Sequence, residues 1–101
     1  MLQTKLAGVS FNDRQENIKT FGRSDIKGYR LQREPGNIHD PNAVAVLMGS
    51  LSLGYLPKPV AALIAPQMDQ GKQFYAEFVS LNSCSFNETV GLTVNVKEVI
   101  E

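Results

Sequence analysis

Short apolar segments, several of them alternating with polar positions, recur along the chain between clusters of Gly, Pro, Asn, Asp and Ser. Alternation with a period of two is typical of half-buried β-strands, and such clusters mark the turns between strands. In the segment 26–33, for example, Tyr29 and Leu31 fall on one face, with charged or amide side chains between them. The pattern predicts about six strands, at 5–11, 26–33, 43–48, 51–56, 73–81 and 90–100.

Two short helices are also predicted. The first is capped by Asn12 and Asp13 and runs to about residue 20. The second begins at Lys58, with Pro59 suited to the first helical position, and is nearly all apolar, so it should fill the interior of the sheet. Pro66 either limits this helix to about two turns or kinks it, and Gly71 suits the C-terminal cap that follows.

These elements predict a mainly β protein, a small closed or partly open antiparallel β-barrel of about six strands with one or two short helices. A chain of 101 residues is long enough for one modest core, so we expect a single domain over residues 1–101. Of the eight aromatic residues we expect Tyr29, Phe74 and Phe78 in the core, and Phe11 and Phe86 to be available for contacts.

The segment 33–43 between the second and third predicted strands is dense in turn formers and polar side chains. Pro35 and Pro41 fix φ, and the Asp40 carboxylate is placed to accept backbone N–H groups in a type I turn. A rigid segment of this kind can bind a ligand with little ordering cost. The alternative is that its Asn and Asp residues do no more than form the turn.

Three motifs support the first interpretation. Arg33-Glu34-Pro-x-Asn37-x-x-Asp40-x-Asn42-Ala43-Val44-x-Val46 is followed by Leu53-Gly54-Tyr55-Leu56-Pro57, and Ala7-Gly8-Val9-x-Phe11-x-x-Arg14-Gln15 precedes both. In order and spacing they resemble the HIRAN domain family, over roughly the first two-thirds of the chain. The resemblance implies an OB-like barrel that captures the 3′ end of single-stranded DNA, as HIRAN domains of fork-remodelling translocases do.

Carried onto this sequence, the resemblance implies a set of DNA contacts. Asn37 and the backbone near Gly36 would contact the terminal nucleotide, Phe11 would stack on a base, and Lys58 would hold a phosphate. Asp40 would accept a hydrogen bond from the 3′-hydroxyl, and the same carboxylate would repel a 3′-phosphate. No metal and no cofactor is implied.

The sequence departs from the eukaryotic pattern at several of these positions. Ser10 stands where the eukaryotic domain has a phosphate-contacting Arg, and whether Arg14 replaces it is open. His39 stands where that domain has a Tyr, which gives a smaller ring whose charge depends on pH. Phe86 is aligned with a late aromatic contact. These changes leave open weaker end binding, a different nucleic acid, or the loss of DNA binding.

The charge distribution argues against general polyanion binding. Formal net charge is zero: residues 1–33 hold seven basic and three acidic side chains, a net +4, and residues 34–101 hold three basic and seven acidic, a net −4. Nonspecific affinity for nucleic acid grows with the number of phosphates neutralised. If the chain binds nucleic acid, it should bind a small feature of it.

Catalysis has little support in the sequence. His39 and Cys84 are the single His and the single Cys, and there is no nucleophile elbow, phosphate loop, dinucleotide motif or zinc-ligand spacing. We therefore expect no enzyme activity. The lone Cys, the absence of a long apolar run and an N-terminus unlike a signal peptide favour a cytoplasmic protein with no membrane association.

The favoured hypothesis is a non-catalytic module that binds single-stranded DNA, at its 3′-hydroxyl end, in DNA repair or replication-fork processing. The alternative is a protein-interaction adaptor on the same barrel, which recruits a DNA-processing protein through a sheet edge or the loop around Phe86. Zero net charge favours the adaptor, whereas the segment 33–43 and Lys58 favour DNA. The oligomeric state is not indicated by the sequence.

Overall fold

In the computed structural model, which describes residues 2–11, 13–26, 28–84 and 87–100, six antiparallel strands curl into a half-barrel accompanied by two helices. The strand order in the sheet is β1-β6-β5-β2-β3-β4. In chain order, the elements are β1 (Leu2–Lys5), α1 (Arg14–Phe21), β2 (Tyr29–Arg33), β3 (Val44–Met48), β4 (Leu51–Tyr55), α2 (Lys58–Asp69), β5 (Phe74–Cys84) and β6 (Asn87–Glu98). The predicted fold class is confirmed.

The two edges of the sheet meet at one point. Ala7, just after β1, exchanges two backbone hydrogen bonds with Tyr55 at the end of β4, at N···O distances of 2.7 and 2.9 Å. Gly54 beside this bridge has φ +149°, and a Cβ there would lie 2.8 Å from the Ala7 carbonyl oxygen. Since only glycine permits this approach, residue 54 is the position that lets the barrel partly close.

The core lies inside the curl of the sheet. As predicted for β2, Tyr29 and Leu31 are buried while Arg30 and Gln32 are exposed. Phe74 and Phe78 are only half-buried against this core, so the expectation that both are core residues is met in part. The most completely buried large side chains are Tyr29, Ile18, Leu53, Leu92, Val44, Val46 and Val94.

Four strand predictions were wrong in their bounds: β2 begins at Tyr29 and not at residue 26, and β1, β5 and β6 differ as well. The first strand ends at Lys5 and does not reach residue 11, because the chain turns at Gly8, which has φ +65°. The predicted loop at 82–88 is instead strand at 82–84 and 87–88, where Asn82 pairs with Gly91 and Ser83 with Val90 in the β5–β6 ladder; residues 85–86 lie outside the described residues. Backbone pairing satisfies these polar residues as well as apolar ones, so their composition alone was misleading.

Helix α1 occupies the predicted region, but its predicted side-chain cap is absent among the described residues. Asp13 is the N-cap residue and its side chain makes no capping hydrogen bond; Asn12 lies outside the described residues. The first turn is closed by the backbone instead, with the Asn17 N–H donating to the Asp13 carbonyl at 3.0 Å. Only Ile18 of this helix is buried.

Helix α2 continues through Pro66 to Asp69, which is the longer of the two predicted alternatives. Its end is a Schellman motif: the N–H of Gly71 donates to Met68 and that of Lys72 to Gln67, with Gly71 at φ +100°. The predicted role of Gly71 is therefore confirmed. The helix fills the interior with one face only, formed by Ala61, Ile64 and Ala65, while Leu63 is 62% exposed.

Candidate functional site

A cavity of about 540 Å³ lies where the turn at Gly8, the segment 33–43 and the start of α2 meet. Its lining contains six of the eight residues predicted as DNA contacts: Phe11, Arg14, Asn37, His39, Asp40 and Lys58. Gly36 is not part of the lining, and Phe86 lies outside the described residues. The fold thus brings together side chains from three separate regions of the chain.

Asp40 forms the turn that the sequence predicts. Its Oδ1 accepts the N–H of Asn42 at 2.9 Å, and its carbonyl accepts the N–H of Ala43 at 3.0 Å. No residue in the described part of the chain donates a hydrogen bond to Oδ2. The carboxylate therefore closes its turn with one oxygen and retains the other as an acceptor at the cavity.

Asn37 is committed mainly to the segment itself. Its Oδ1 accepts the N–H groups of His39 at 2.8 Å and Asp40 at 3.2 Å, and its Nδ2 donates to Glu34 Oε1 at 3.1 Å. Both lone pairs of the amide oxygen are thereby used. Only the second Nδ2–H remains for a ligand, so Asn37 contributes chiefly by fixing the backbone around Asp40.

Arg33 fastens this segment to α2. Its Nε and Nη2 donate to the two carboxylate oxygens of Asp69 at 2.9 and 3.0 Å, and its Nη1 donates to the carbonyls of Pro41 and Ala43. The hydrogen bonds of this pair raise the pKa of Arg33 and lower the pKa of Asp69. The sequence motif contains Arg33, but its partner is 36 residues away, so no local pattern reveals this role.

The wall of the cavity formed by the turn at Gly8 and the start of α1 carries the positive charge of Arg14, which is held in a fixed position. Arg14 donates from Nη1 to the Gly8 carbonyl at 2.7 Å and from Nε to Ser52 Oγ at 3.1 Å, and its guanidinium carbon lies 5.0 Å from the centroid of the Tyr55 ring. That distance is in the range of a cation–π contact. Within the described residues its Nη2 group has no acceptor, so this edge is available to an anion.

Phe11 stands beside this charge. Its side chain is 63% exposed. A Cβ built on Gly8 would lie 3.2 Å from Arg14 Nη1, 3.8 Å from the Phe11 ring and 3.9 Å from the Tyr55 ring. The positive φ of Gly8 and its missing side chain thus let two aromatic rings and one guanidinium converge at the same end of the cavity.

Tyr55 is a lining residue that the sequence reasoning missed as a site residue, although it lies within one of the three motifs. Its hydroxyl donates to Glu34 Oε1 at 2.7 Å. Burial and this hydrogen bond raise the pKa of Tyr55, so it remains a neutral donor. The signal available in the sequence was its place in the Leu53–Pro57 motif, at the end of a predicted strand.

Helix α1 is held by polar side chains that reach other segments. The Gln15 amide donates to the carbonyls of Val9 and Val90 at 2.8 and 2.9 Å and accepts the Val90 N–H at 2.6 Å. Asn17 Nδ2 donates to the Ser52 carbonyl at 2.8 Å. These contacts fix the helix, and with it Arg14, against β4 and β6.

His39 and Lys58 are exposed residues at the rim of the cavity, on the segment 33–43 and at the first position of α2. Among the described residues, no group of three or more His, Cys, Asp or Glu side chains has the arrangement of a metal site. Neither helix in that part of the chain combines the length and the apolar character needed to cross a membrane.

The cavity thus combines an exposed aromatic ring, a fixed guanidinium, a lysine and a carboxylate oxygen on a small β half-barrel. This set of side chains is typical of a binding module. The family model for the HIRAN domain matches residues 1–98. The chain belongs to the HIRAN domain family, a family of binding domains known as nucleic-acid-binding modules.

Two solved structures are similar to the chain. A structural-genomics protein from Lactobacillus plantarum is 26% identical with a TM-score of 0.74, and the match covers 93% of this chain and 89% of that one. The HIRAN domain of human HLTF is 21% identical with a TM-score of 0.59, and the match covers 94% of this chain and 73% of that one; this likeness concerns the fold. No curated protein matches the sequence.

Proposed function

We propose that this chain binds single-stranded DNA and recognises its 3′-hydroxyl end in the cavity between Arg14, Asp40 and Lys58. The observation that supports the proposal is the convergence of six predicted contact residues, drawn from three regions of the sequence, on one cavity. A cytoplasmic role in DNA repair or replication-fork processing is part of the proposal.

The chemistry of the lining matches the parts of a strand end. The free Oδ2 of Asp40 accepts a hydrogen from the terminal hydroxyl, which a 3′-phosphate lacks. Arg14 Nη2 and Lys58 Nζ neutralise the one or two phosphates that precede it, and Phe11 stacks on a base with about 1–3 kcal/mol. This footprint is small, as a chain of zero net charge requires.

The four other predicted contacts have lesser roles in this proposal, and among them Asn37 acts chiefly by fixing the backbone around Asp40. His39 flanks the terminal sugar from the rim of the cavity. Gly36 has no side chain and is outside the lining, so it acts only through its backbone. Phe86 stays a predicted contact on the late part of the chain.

The test is fluorescence anisotropy with one short single strand that ends in a 3′-hydroxyl or in a 3′-phosphate. Asp40→Asn is the sharpest variant, because its amide oxygen still accepts the Asn42 N–H while the charge is gone. We expect wild type to prefer the hydroxyl end by about tenfold or more, and Asp40→Asn to weaken hydroxyl-end binding and tolerate the phosphate. Asp40→Ala should lose the preference as well.

Salt dependence supplies the control for phosphate contacts. Each one contributes about −0.7 to the slope of log affinity against log salt for single strands, so Lys58→Gln should make the slope less negative by that amount. Equal binding of both ends, or no binding to either by folded protein at modest salt, contradicts the proposal.

The competing function is a protein-interaction adaptor. The observation in its favour is that Ile38, on the segment 33–43, is 92% exposed and Leu63 on α2 is 62% exposed. Contiguous exposed apolar surface is typical of contacts with other proteins, so a partner surface that covers both side chains would account for their exposure. Absence of DNA binding, with the protein folded, would make this the working hypothesis.

A further inference from the structure

A chain of contacts joins the two walls of the cavity through one side chain. The ring of Tyr55 lies against the Arg14 guanidinium, and its hydroxyl donates to Glu34 Oε1. The same Glu34 oxygen accepts Asn37 Nδ2, and Asn37 Oδ1 holds the Asp40 N–H. Tyr55 therefore contacts the wall that carries Arg14 directly and the wall that carries Asp40 through Glu34 and Asn37.

The two halves of Tyr55 serve different walls. Arg14 keeps its unpaired Nη2 edge at the cavity because Nε and Nη1 are tied down and the ring supports the flat guanidinium face. Glu34 is the only described acceptor for both Tyr55 and Asn37 Nδ2, so the phenolic hydrogen bond fixes the carboxylate that orients Asn37. Substitution can remove the Tyr55 hydroxyl alone, as in Tyr55→Phe, or the hydroxyl and the ring together, as in Tyr55→Leu.

We propose that Tyr55 is a positioning residue that sets the specificity of the cavity through two separable contacts, its hydroxyl aligning Asp40 through Glu34 and Asn37, and its ring aligning Arg14. This assignment rests on the function proposed above and adds a residue to it. Loss of the hydroxyl reduces recognition of the 3′-hydroxyl end, whereas loss of the ring also removes a phosphate contact.

The experiment measures affinity for the hydroxyl-ended and phosphate-ended strands, and the salt slope, for Tyr55→Phe and Tyr55→Leu. We expect Tyr55→Phe to reduce the hydroxyl preference about five- to tenfold with an unchanged slope, the effect of losing one hydrogen bond to a carboxylate. Tyr55→Leu should lose the same preference and make the slope less negative by about 0.7. Tyr75→Phe, on β5 outside the cavity, is the matched control and should bind as wild type.

Glu34 distinguishes positioning from direct contact. Glu34→Gln retains an oxygen that accepts from both Tyr55 and Asn37, so it should preserve most of the preference, whereas Glu34→Ala should lose at least as much as Tyr55→Phe. If both Glu34 variants bind as wild type while Tyr55→Phe is weak, the hydroxyl contacts DNA directly and the assignment is overturned.

Two further outcomes are separable. Wild-type preference and slope in folded Tyr55→Phe and Tyr55→Leu overturn the assignment and leave the proposed function intact. Failure of the wild type to distinguish the two strand ends overturns the proposed function, and the assignment with it. Thermal unfolding of each variant shows that the protein measured is folded.

Discussion

The two walls of the cavity are both polar, yet they are held in place differently. In the segment 33–43, the hydrogen bonds that shape the chain run between close neighbours, from Asp40 to Asn42 and from Asn37 to residues two or three positions away. In α1, Arg14, Gln15 and Asn17 each bond a residue 35 to 75 positions away, in addition to contacts of Arg14 and Gln15 six positions away. One wall is shaped mainly by bonds within its own segment, with outside anchors at Arg33 and Glu34, and the other wall is held by bonds to the barrel.

This difference has energetic consequences. A locally bonded turn can form with few long-range contacts, so damage to it should stay local. A polar helix that buries only Ile18 depends on its side-chain hydrogen bonds to other strands, so damage there should reach the whole fold. Three substitutions test the contrast.

The largest effect is expected at Gln15. Gln15→Ala removes three part-buried hydrogen bonds and leaves both backbone groups of Val90 without a side-chain partner, which should lower the free energy of unfolding by about 2–4 kcal/mol. Urea unfolding measures it. Lys19→Ala, on the exposed face of the same helix, is the control and should change stability by less than about 0.5 kcal/mol. Equal effects in the two variants would contradict the account of α1.

A smaller and local effect is expected at Asn37. Asn37→Ala removes the acceptor for two backbone N–H groups, at a cost of about 1–2 kcal/mol, the range of a lost helix or turn cap. Amide hydrogen exchange should accelerate within 37–43 and remain unchanged in α1. Asn42→Ala, which keeps the backbone N–H that Asp40 accepts, is the control. Faster exchange across the sheet would show that the segment is not locally shaped.

The smallest effect on stability is expected at Asp69, which anchors the segment 33–43 through its ion pair with Arg33. Arg33 lowers the pKa of Asp69 below its ordinary value of 3.8, so the ionised carboxylate stabilises the fold above that pH. This stability is lost as pH falls through the folded-state pKa. Asp69→Asn should therefore be less stable than wild type at neutral pH, and the difference should vanish in strong acid. Urea unfolding across this range measures it, with Asp13→Asn as the control; a difference independent of pH would exclude the ion pair as its cause.

The same contrast explains what could be predicted from sequence. The Asp40 turn and the end of α2 at Gly71 are set by neighbouring residues, and both were predicted. The roles of Arg33 and Tyr55 were not, because their partners lie 36 and 21 residues away and become neighbours only through the fold.

The strand bounds failed for a related reason. Polar residues at 82–84 are typical of a loop, but the long pairing of β5 with β6 carries them into the ladder. At the first strand, the turn at Gly8 serves the cavity, since it brings Phe11, Arg14 and Tyr55 together. Tertiary packing around Gly8 there overrides the alternating pattern.

The cavity between these two walls is proposed to receive a 3′-hydroxyl DNA end, and NMR titration of the isotope-labelled protein measures whether it does. With a short hydroxyl-ended strand, we expect the chemical shifts that change to be those of Phe11, Arg14, Asn37, Asp40 and Lys58, and the same strand with a 3′-phosphate to leave the Asp40 region nearly unchanged. Shift changes confined to the distant surface at Gly71, Gln73 and Glu98, or identical changes with both ends, would contradict the proposal.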